Sequence, residues 1–170
     1  RDGDIIDVEW TSIPFTFSGR PATYMIFRDV TERLKSEEHH RYLASHDALT
    51  GLPNRLEFQR CLKSIVEESR SSETRFAIHY LDLDYFKTVN DTLGHHIGDS
   101  LLQAVATRLR RTVRASDIVA RLGGDEFAVL QLAADHDDAP LTLAKKLQEA
   151  IDQPYTIGDE LLHTSITVGI

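Results

Sequence analysis

Cysteine is almost missing from this sequence of 170 residues, which contains only Cys61. A single cysteine cannot form an intramolecular disulfide, so a reducing, cytoplasmic location is expected. Long apolar runs are missing too, since stretches such as 24–27 and 127–130 are far shorter than the roughly 20 residues that a membrane helix needs. No basic, apolar leader opens the sequence. We therefore expect no membrane contact within this segment.

Positive charge is also scarce. The sequence has 19 Lys and Arg against 27 Asp and Glu, which gives a net charge of -8. Proteins that bind nucleic acid nonspecifically cluster Lys and Arg, so a nucleic-acid partner is not expected. An acidic protein that handles polyphosphates would need metal ions to offset the repulsion. The hydrophobic content of 41% is that of an ordinary globular protein.

The first 46 residues form a region of their own. Runs 4–17 and 21–28 have the composition of β-strands, and the break at 18–20 is typical of a hairpin turn. Asp29, three residues before Glu32, has the spacing of a helix capping box, and no Gly or Pro follows as far as residue 46. The pattern predicts a hairpin remnant over 1–30 and a linker helix over 31–46. The apolar seam of that helix is thin, so a coiled coil and a solvated connector both remain open.

From residue 47 the pattern predicts an α+β domain. Elements alternate in the order helix, strand, helix, helix, hairpin, helix, hairpin, which favours a mostly antiparallel sheet flanked by helices. The predicted elements are a helix near 56–66, a strand over 76–84, a helix over 85–93, a helix capped by Asp99 or Ser100, a hairpin over 118–132, a helix over 141–151, and two strands that turn at Gly158 and Asp159.

Two acidic strand ends carry the chemistry. In the strand over 76–84 alternate side chains share a face, so Asp82 and Asp84 emerge together where the apolar part ends. Taken alone, either carboxylate could simply cap the next helix. In RLGGDEF, over 121–127, Gly123 and Gly124 suit a two-residue turn that places the following acidic residues at the strand edge. Taken alone, this tip could be a solvated hairpin.

The two strand ends together predict a metal site. We expect Asp82 and Asp125 to converge from opposite sides of the sheet, and converging carboxylates repel one another unless a hard cation lies between them. Mg²⁺ accepts one or two protein carboxylates together with phosphate oxygens, and a pair of such ions can activate an attacking hydroxyl. The sequence therefore predicts a nucleotidyl-transfer site. The adjacent His95 and His96 lack further spaced ligands, which argues against zinc.

Three motifs in order resemble the GGDEF family of diguanylate cyclases: DALTGLPNR over 47–55, LDLDYFKTVNDTLGHHIGD over 81–99 and RLGGDEF over 121–127. The resemblance implies a palm-like fold, related to nucleotide cyclases and ferredoxin-like domains, over 47–170. It implies condensation of two GTP into the bacterial second messenger cyclic di-GMP, with release of two pyrophosphates, by a homodimer. Family members continue past a strand like SITVGI, so we expect the domain to be incomplete at its C-terminus, which leaves the activity of the segment by itself open.

The resemblance also implies roles for individual residues. Two Mg²⁺ per active site, or Mn²⁺ in their place, would be bound by the metal ligands, the side chains of Asp82 and Asp125 and the main-chain carbonyl of Leu83. Glu126 would be a further ligand or the catalytic base. The substrate-binding residues would be Asn90 and Asp99 at the guanine, Gly123 and Gly124 beside the α-phosphate, and Phe86 and Lys87 at the outer phosphates.

Two further resemblances flank this site. Arg114 and Asp117 match an RxxD pattern that in the family forms an allosteric site for cyclic di-GMP, although a helix-end Arg with a loop Asp is common in any protein. Residues 1–30 resemble the last strands of a PAS sensor domain, which implies the order sensor, helix, cyclase. The alternative function is a catalytically silent module that binds GTP or cyclic di-GMP as a regulatory receptor.

Overall fold

The computed structural model describes residues 5–70, 75–134 and 136–170, without the side chains of residues 38 and 39. The chain divides into two compact units, Arg1–Ala44 and Ser45–Ile170. In chain order the elements are β1 (Val8–Phe17), β2 (Arg20–Asp29), α1 (Thr31–Ser45), α2 (Arg55–Ser69), β3 (Phe76–Leu83), α3 (Phe86–Leu93), α4 (His95–Thr112), β4 (Ile118–Gly123), β5 (Glu126–Leu132), α5 (Ala139–Ile151), β6 (Tyr155–Ile157), β7 (Glu160–Leu162) and β8 (Ile166–Gly169).

The first unit contains the predicted hairpin and helix. Strands β1 and β2 pair antiparallel from Val8 opposite Asp29 to Phe17 opposite Arg20. The turn between them places Ser18 and Gly19 at positive φ, as a tight hairpin requires. At the start of α1 the Asp29 carboxylate accepts a hydrogen bond of 2.9 Å from the Thr31 amide. The predicted first residue of the hairpin, residue 4, lies outside the described residues.

The second unit is built on a four-stranded antiparallel sheet in the order β4-β5-β3-β8. Alternate residues of β5 explain how both faces of the sheet are covered. Phe127 and Val129 join the core formed with α4 and α5, whereas Ala128 and Leu130 join a second cluster with Phe58 of α2. The predicted α+β fold with flanking helices is confirmed. Strands β6 and β7 form a separate hairpin.

Helix α4 presents the predicted apolar stripe, and its start differs from the prediction. Its buried residues are Gly98, Leu101, Leu102, Val105, Ala106 and Leu109. The helix begins at His95, not after a cap at Asp99 or Ser100. Gly94, with φ of 88°, ends α3 and begins α4 within one residue, so Asp99 already lies inside the helix. Within the described ranges, no helix is both long and apolar enough to cross a bilayer.

Candidate active site

The acidic residues meet at neighbouring strand ends. Asp82 of β3 is directly opposite Glu126 of β5 in the antiparallel register. One residue further on, the Leu83 amide donates a hydrogen bond of 3.2 Å to the carbonyl of Asp125. The expectation that Asp82 and Asp125 come from opposite sides of the sheet is wrong, because β3 and β5 are adjacent in the strand order. Because the two strands are neighbours in one sheet, their ends bring the carboxylates of Asp82 and Asp125 together.

The hairpin tip has a different turn from the predicted one. Gly123 pairs with Glu126, so Gly124 and Asp125 occupy the two turn positions, where Gly123 and Gly124 were expected. Both glycines have positive φ, 141° at Gly123 and 53° at Gly124, and the register shifts just before Gly123. The bulge uses the conformational freedom of Gly123 and sets Asp125 at the apex of the tip.

The local electrostatics favour a cation. Partial burial and then the negative charges of Asp125, Glu126 and Asp84 raise the pKa of Asp82 above its ordinary value. Within the described residues, neither Asp82 nor Asp125 forms a salt bridge. Like-charged carboxylates without a cationic partner destabilise each other until a cation binds.

The donor set fits Mg²⁺. Over the described part of the chain, no three His, Cys, Asp or Glu side chains are grouped closely enough to hold a metal by themselves. Mg²⁺ does not need such a cage, since it is usually bound by one or two carboxylates plus substrate phosphates and water. The carboxylates of Asp82 and Asp125 are donors of that kind.

Asp84 has a different role from Asp82. Its carboxylate accepts hydrogen bonds from the Ser165 hydroxyl at 2.6 Å and the Thr167 hydroxyl at 2.9 Å. Its main chain is also held, because its amide donates to the Ser165 carbonyl and its carbonyl accepts from Thr164. The simple capping role is wrong for Asp82 and Asp84, because the N-cap of α3 is Tyr85 and no side chain of the described residues caps the helix there. Asp84 instead ties the end of β3 to β8.

An open cleft lies in front of these residues. It has a volume of about 530 Å³ and is lined by Asp82, Leu83, Asp84, Tyr85, Phe86, Lys87, Asp125 and Ser165. Tyr85 has a left-handed backbone with φ of 61° and is 80% exposed. Such a conformation is costly for a residue other than glycine and is found at ligand-binding turns. The amides at the start of α3 and the Lys87 side chain can interact with phosphate there.

Glu126 is held by two residues that the sequence analysis missed. Arg55 Nη2 donates to Glu126 Oε2 at 2.9 Å, and the Tyr80 hydroxyl donates to the same oxygen at 3.4 Å. Arg55 also donates through Nε to the Leu122 carbonyl. In the described structure both donors to Glu126 contact Oε2, which leaves Oε1 for other partners. The signal for Arg55 was present as the last residue of DALTGLPNR.

The tip is supported from behind by a second ion pair. Arg121 donates to the Gly124 carbonyl through Nε at 3.1 Å and Nη2 at 2.8 Å, and to Asp47 through Nη1 at 3.0 Å. Burial raises the pKa of Asp47, but hydrogen bonds from Thr50 and Arg121 outweigh it and hold the pKa below its ordinary value. This ionised carboxylate fixes Arg121, which in turn fixes the tip.

The predicted guanine-binding pair lies on two consecutive helices. Asn90 is half-buried in α3, and Asp99 is exposed in α4, one residue after its first turn. Gly98, the residue before Asp99, packs against the Asn90 side chain. His95 and His96 are exposed at the start of α4 and belong to no metal-binding cluster of described residues.

Arg114 and Asp117 form a tight turn after α4. Asp117 accepts hydrogen bonds from the amides of Arg114 at 3.1 Å and Leu132 at 3.0 Å. The Asp117 carboxylate therefore supports the local backbone, which agrees with the simpler interpretation of this motif. The Arg114 side chain is exposed and lines a cleft of about 300 Å³ together with Lys146 of α5.

These features define a class: an antiparallel sheet with clustered carboxylates at a glycine-rich hairpin tip, beside a turn suited to phosphate. Residues 44–170 match the family model described as "Diguanylate cyclase, GGDEF domain". The chain belongs to this family.

Known proteins of the family align over most of the chain. It is 48% identical over 128 residues to the bifunctional diguanylate cyclase/cyclic di-GMP phosphodiesterase MucR of Pseudomonas aeruginosa, covering 75% of this chain but 18% of MucR. The GGDEF domain of TpbB from the same species superposes with a TM-score of 0.70 at 39% identity, covering 73% of each chain. The coiled coil and GGDEF domain of DgcB from Caulobacter crescentus, solved with c-di-GMP, gives 0.72 at 27% identity, covering 81% of this chain and 74% of that one.

Proposed function

We propose that the protein is a diguanylate cyclase that condenses two GTP into cyclic di-GMP and releases two pyrophosphates. The observation that carries the proposal is the meeting of Asp82, Asp125 and Glu126 at two adjacent strand ends, beside the α3 turn. A site that only binds an anion has no use for three carboxylates.

The residues of the chain divide the chemistry among them. Each 3′-hydroxyl oxygen bonds to the α-phosphorus of the other GTP, and the bond from that phosphorus to the pyrophosphate oxygen breaks. Glu126 accepts the hydroxyl proton, since Oε2 is held by Arg55 and Tyr80 while Oε1 is left for substrate. Mg²⁺ held by Asp82, Asp125 and the Leu83 carbonyl, two ions per site, would neutralise the charge on the phosphates and favour ionisation of the hydroxyl.

The symmetry of the product requires two sites. One site that holds one GTP cannot close a ring of two equivalent halves, so two copies of the domain must face each other across a two-fold axis. We propose that residues 31–46 control this dimer geometry.

We also propose that residues 1–30 are the end of a PAS-like sensor domain. Large apolar side chains are exposed on both faces of the hairpin: Trp10 and Phe27 on one, Ile13 and Tyr24 on the other. A two-stranded hairpin is marginally stable alone, and apolar residues on both faces are typical of strands inside a larger sheet.

The first test is direct. The purified full-length protein is incubated with GTP and Mg²⁺, and the products are separated by chromatography. We expect cyclic di-GMP and pyrophosphate in a ratio of 1:2, because two pyrophosphates leave for each ring closed, and we expect chelation of the metal to stop both.

Asp125→Ala and Asp159→Asn complete this test. Asp125→Ala removes a site carboxylate, and Asp159→Asn is a control in the exposed β6–β7 turn. Cyclic di-GMP formation by Asp125→Ala at the wild-type rate would overturn the assignment of Asp125 to the active site. If the wild type forms no product and Asp125→Ala binds GTP as tightly as it does, the cyclase assignment is wrong, and binding of GTP or cyclic di-GMP by the wild type would then favour a receptor module.

We also propose that Arg114 and Asp117 form a product-inhibition site. Beside Arg114 and Asp138 the cleft includes three further groups that can donate hydrogen bonds to phosphate, the ammonium of Lys146, the imidazole of His136 and the hydroxyl of Thr142. Asp117 holds the turn in shape through the Arg114 and Leu132 amides.

Arg114→Ala is therefore expected to raise the concentration of cyclic di-GMP needed for half-maximal inhibition by about tenfold. The initial rate without product should not change. Arg111→Ala, at an exposed Arg in the last turn of α4 just before this loop, is the matched control. Equal inhibition of Arg114→Ala and wild type would show that the motif is only a turn.

A further inference from the structure

Gly98 has no conformational reason to be glycine. It lies in the first turn of α4, buried, with its amide bonded to the Gly94 carbonyl at 3.3 Å. Its φ is not among the positive values found at six other glycines. In a helix with ordinary backbone angles, glycine is less favourable than alanine by about 1 kcal/mol. Something outside the helix must therefore make the missing side chain useful.

The space that a side chain would fill is occupied by Asn90. A Cβ on Gly98 would overlap Asn90 Oδ1 and would lie 3.0 Å from Asn90 Cγ. The next nearest atom, Phe86 Cζ, would be at 3.3 Å, a distance that a small adjustment can relieve. Any side chain at this position must displace the amide of Asn90, whereas the aromatic ring can remain.

We propose that Gly98 is a positioning residue that determines nucleotide specificity. The Asn90 amide packs against the bare α-carbon of Gly98, and this packing holds the amide in one orientation, from which it can pair with the guanine edge. The proposal rests on the proposed function, in which Asn90 contacts guanine. Glycine here gives up helix stability in exchange for the position of one hydrogen-bonding group.

The test is a double-mutant cycle in nucleotide binding. Affinities for GTP and ATP are measured by calorimetry with Ca²⁺ in place of Mg²⁺, for wild type, Gly98→Ala, Asn90→Ala and the double variant. We expect Gly98→Ala and Asn90→Ala each to weaken GTP binding about tenfold and to leave ATP binding unchanged, since one hydrogen-bonding contact to the base is lost. In the double variant the losses should not add, because the displaced group is already gone.

The GTP-against-ATP comparison is the readout that a packing role would not give, and stability provides a second readout, of the steric conflict itself. In the Asn90→Ala background the methyl group that Gly98→Ala introduces has room, so this substitution should raise the Tm there. Gly169→Ala, at a glycine with open space where its side chain would be, is the control for a glycine replacement that meets no neighbour.

Three results would overturn the proposal. Wild-type GTP affinity in Gly98→Ala would show that the packing of the Asn90 amide on Gly98 is unimportant for binding. Additive losses in the double variant would assign the glycine to packing against Phe86. Unchanged GTP affinity in Asn90→Ala would remove the guanine contact and the role of Gly98 with it, while cyclic di-GMP formation would still test the proposed reaction separately.

Discussion

Asp82→Asn is expected to lower the rate of cyclic di-GMP formation by at least about 10³-fold without lowering the melting temperature of the nucleotide-free protein. The catalytic loss follows from the removal of a metal ligand, because an amide oxygen is a far weaker donor to Mg²⁺ than a carboxylate. The same change removes a negative charge from beside Asp125, Glu126 and Asp84.

The sign of the stability effect follows from the pKa of Asp82. Partial burial, followed by the neighbouring carboxylates, raises this pKa in the folded protein. A raised carboxyl pKa means that the group favours the fold below its ordinary pKa and that this contribution is lost as the pH rises through the folded value. At pH 7 the ionised carboxylate is therefore unfavourable, and Asn removes that cost.

Three measurements test this prediction together: initial rates, Tm without nucleotide, and the rise in Tm when Mg²⁺ and GTP are added. The rise in Tm on addition of Mg²⁺ and GTP should be present in wild type and in Asp159→Asn but much smaller in Asp82→Asn. A variant that kept a tenth of the wild-type rate, or that melted several degrees lower, would show that Asp82 is a structural residue.

Local patterns predicted the elements well because they depend on neighbouring residues. The helical period of α4 and the alternation in β3 follow from local sequence, and the structure has both the buried stripe of α4 and the alternating burial of β3. The predicted start of α4 was wrong because the positive φ of Gly94 allows this helix to follow α3 without a side-chain cap. The tip turn was wrong because a bulge, which composition does not reveal, moved the register by one residue.

The supporting contacts of the site could not be predicted, because they join distant parts of the chain. Arg55 reaches Glu126 over 71 residues, Arg121 reaches Asp47 over 74, and Ser165 reaches Asp84 over 81. No periodicity links such positions. The carboxylates of the proposed metal site were predicted because two acidic strand ends suggest a cation, whereas an Arg in a loop has many equally ordinary roles.

The second large effect is expected on stability, when Arg108 of α4 is replaced. Its guanidinium donates to four main-chain carbonyls at the end of α5 and beyond, those of Ala150, Ile151, Gln153 and Pro154. It also lies over the ring of Tyr155, 3.6 Å from the ring centroid. Carbonyls at a helix C-terminus have no partner within the helix, so one side chain satisfies several of them at once. Arg108 thereby fastens α5 and β6 to α4.

Arg108→Ala is expected to lower the free energy of unfolding by about 3 kcal/mol, because charged hydrogen bonds and a cation–π contact are lost and carbonyls are left unpaired. The corresponding fall in Tm is on the order of 10 °C. Arg108→Lys should recover little of this, since an ammonium group lacks the planar fork that reaches several carbonyls. Arg110→Ala, which loses one exposed hydrogen bond to Gly51, should cost no more than about 0.5 kcal/mol and is the control. Urea and thermal unfolding of the three variants test this ranking. Equal stability of Arg108→Ala and Arg110→Ala would mean that water replaces the guanidinium at the end of α5.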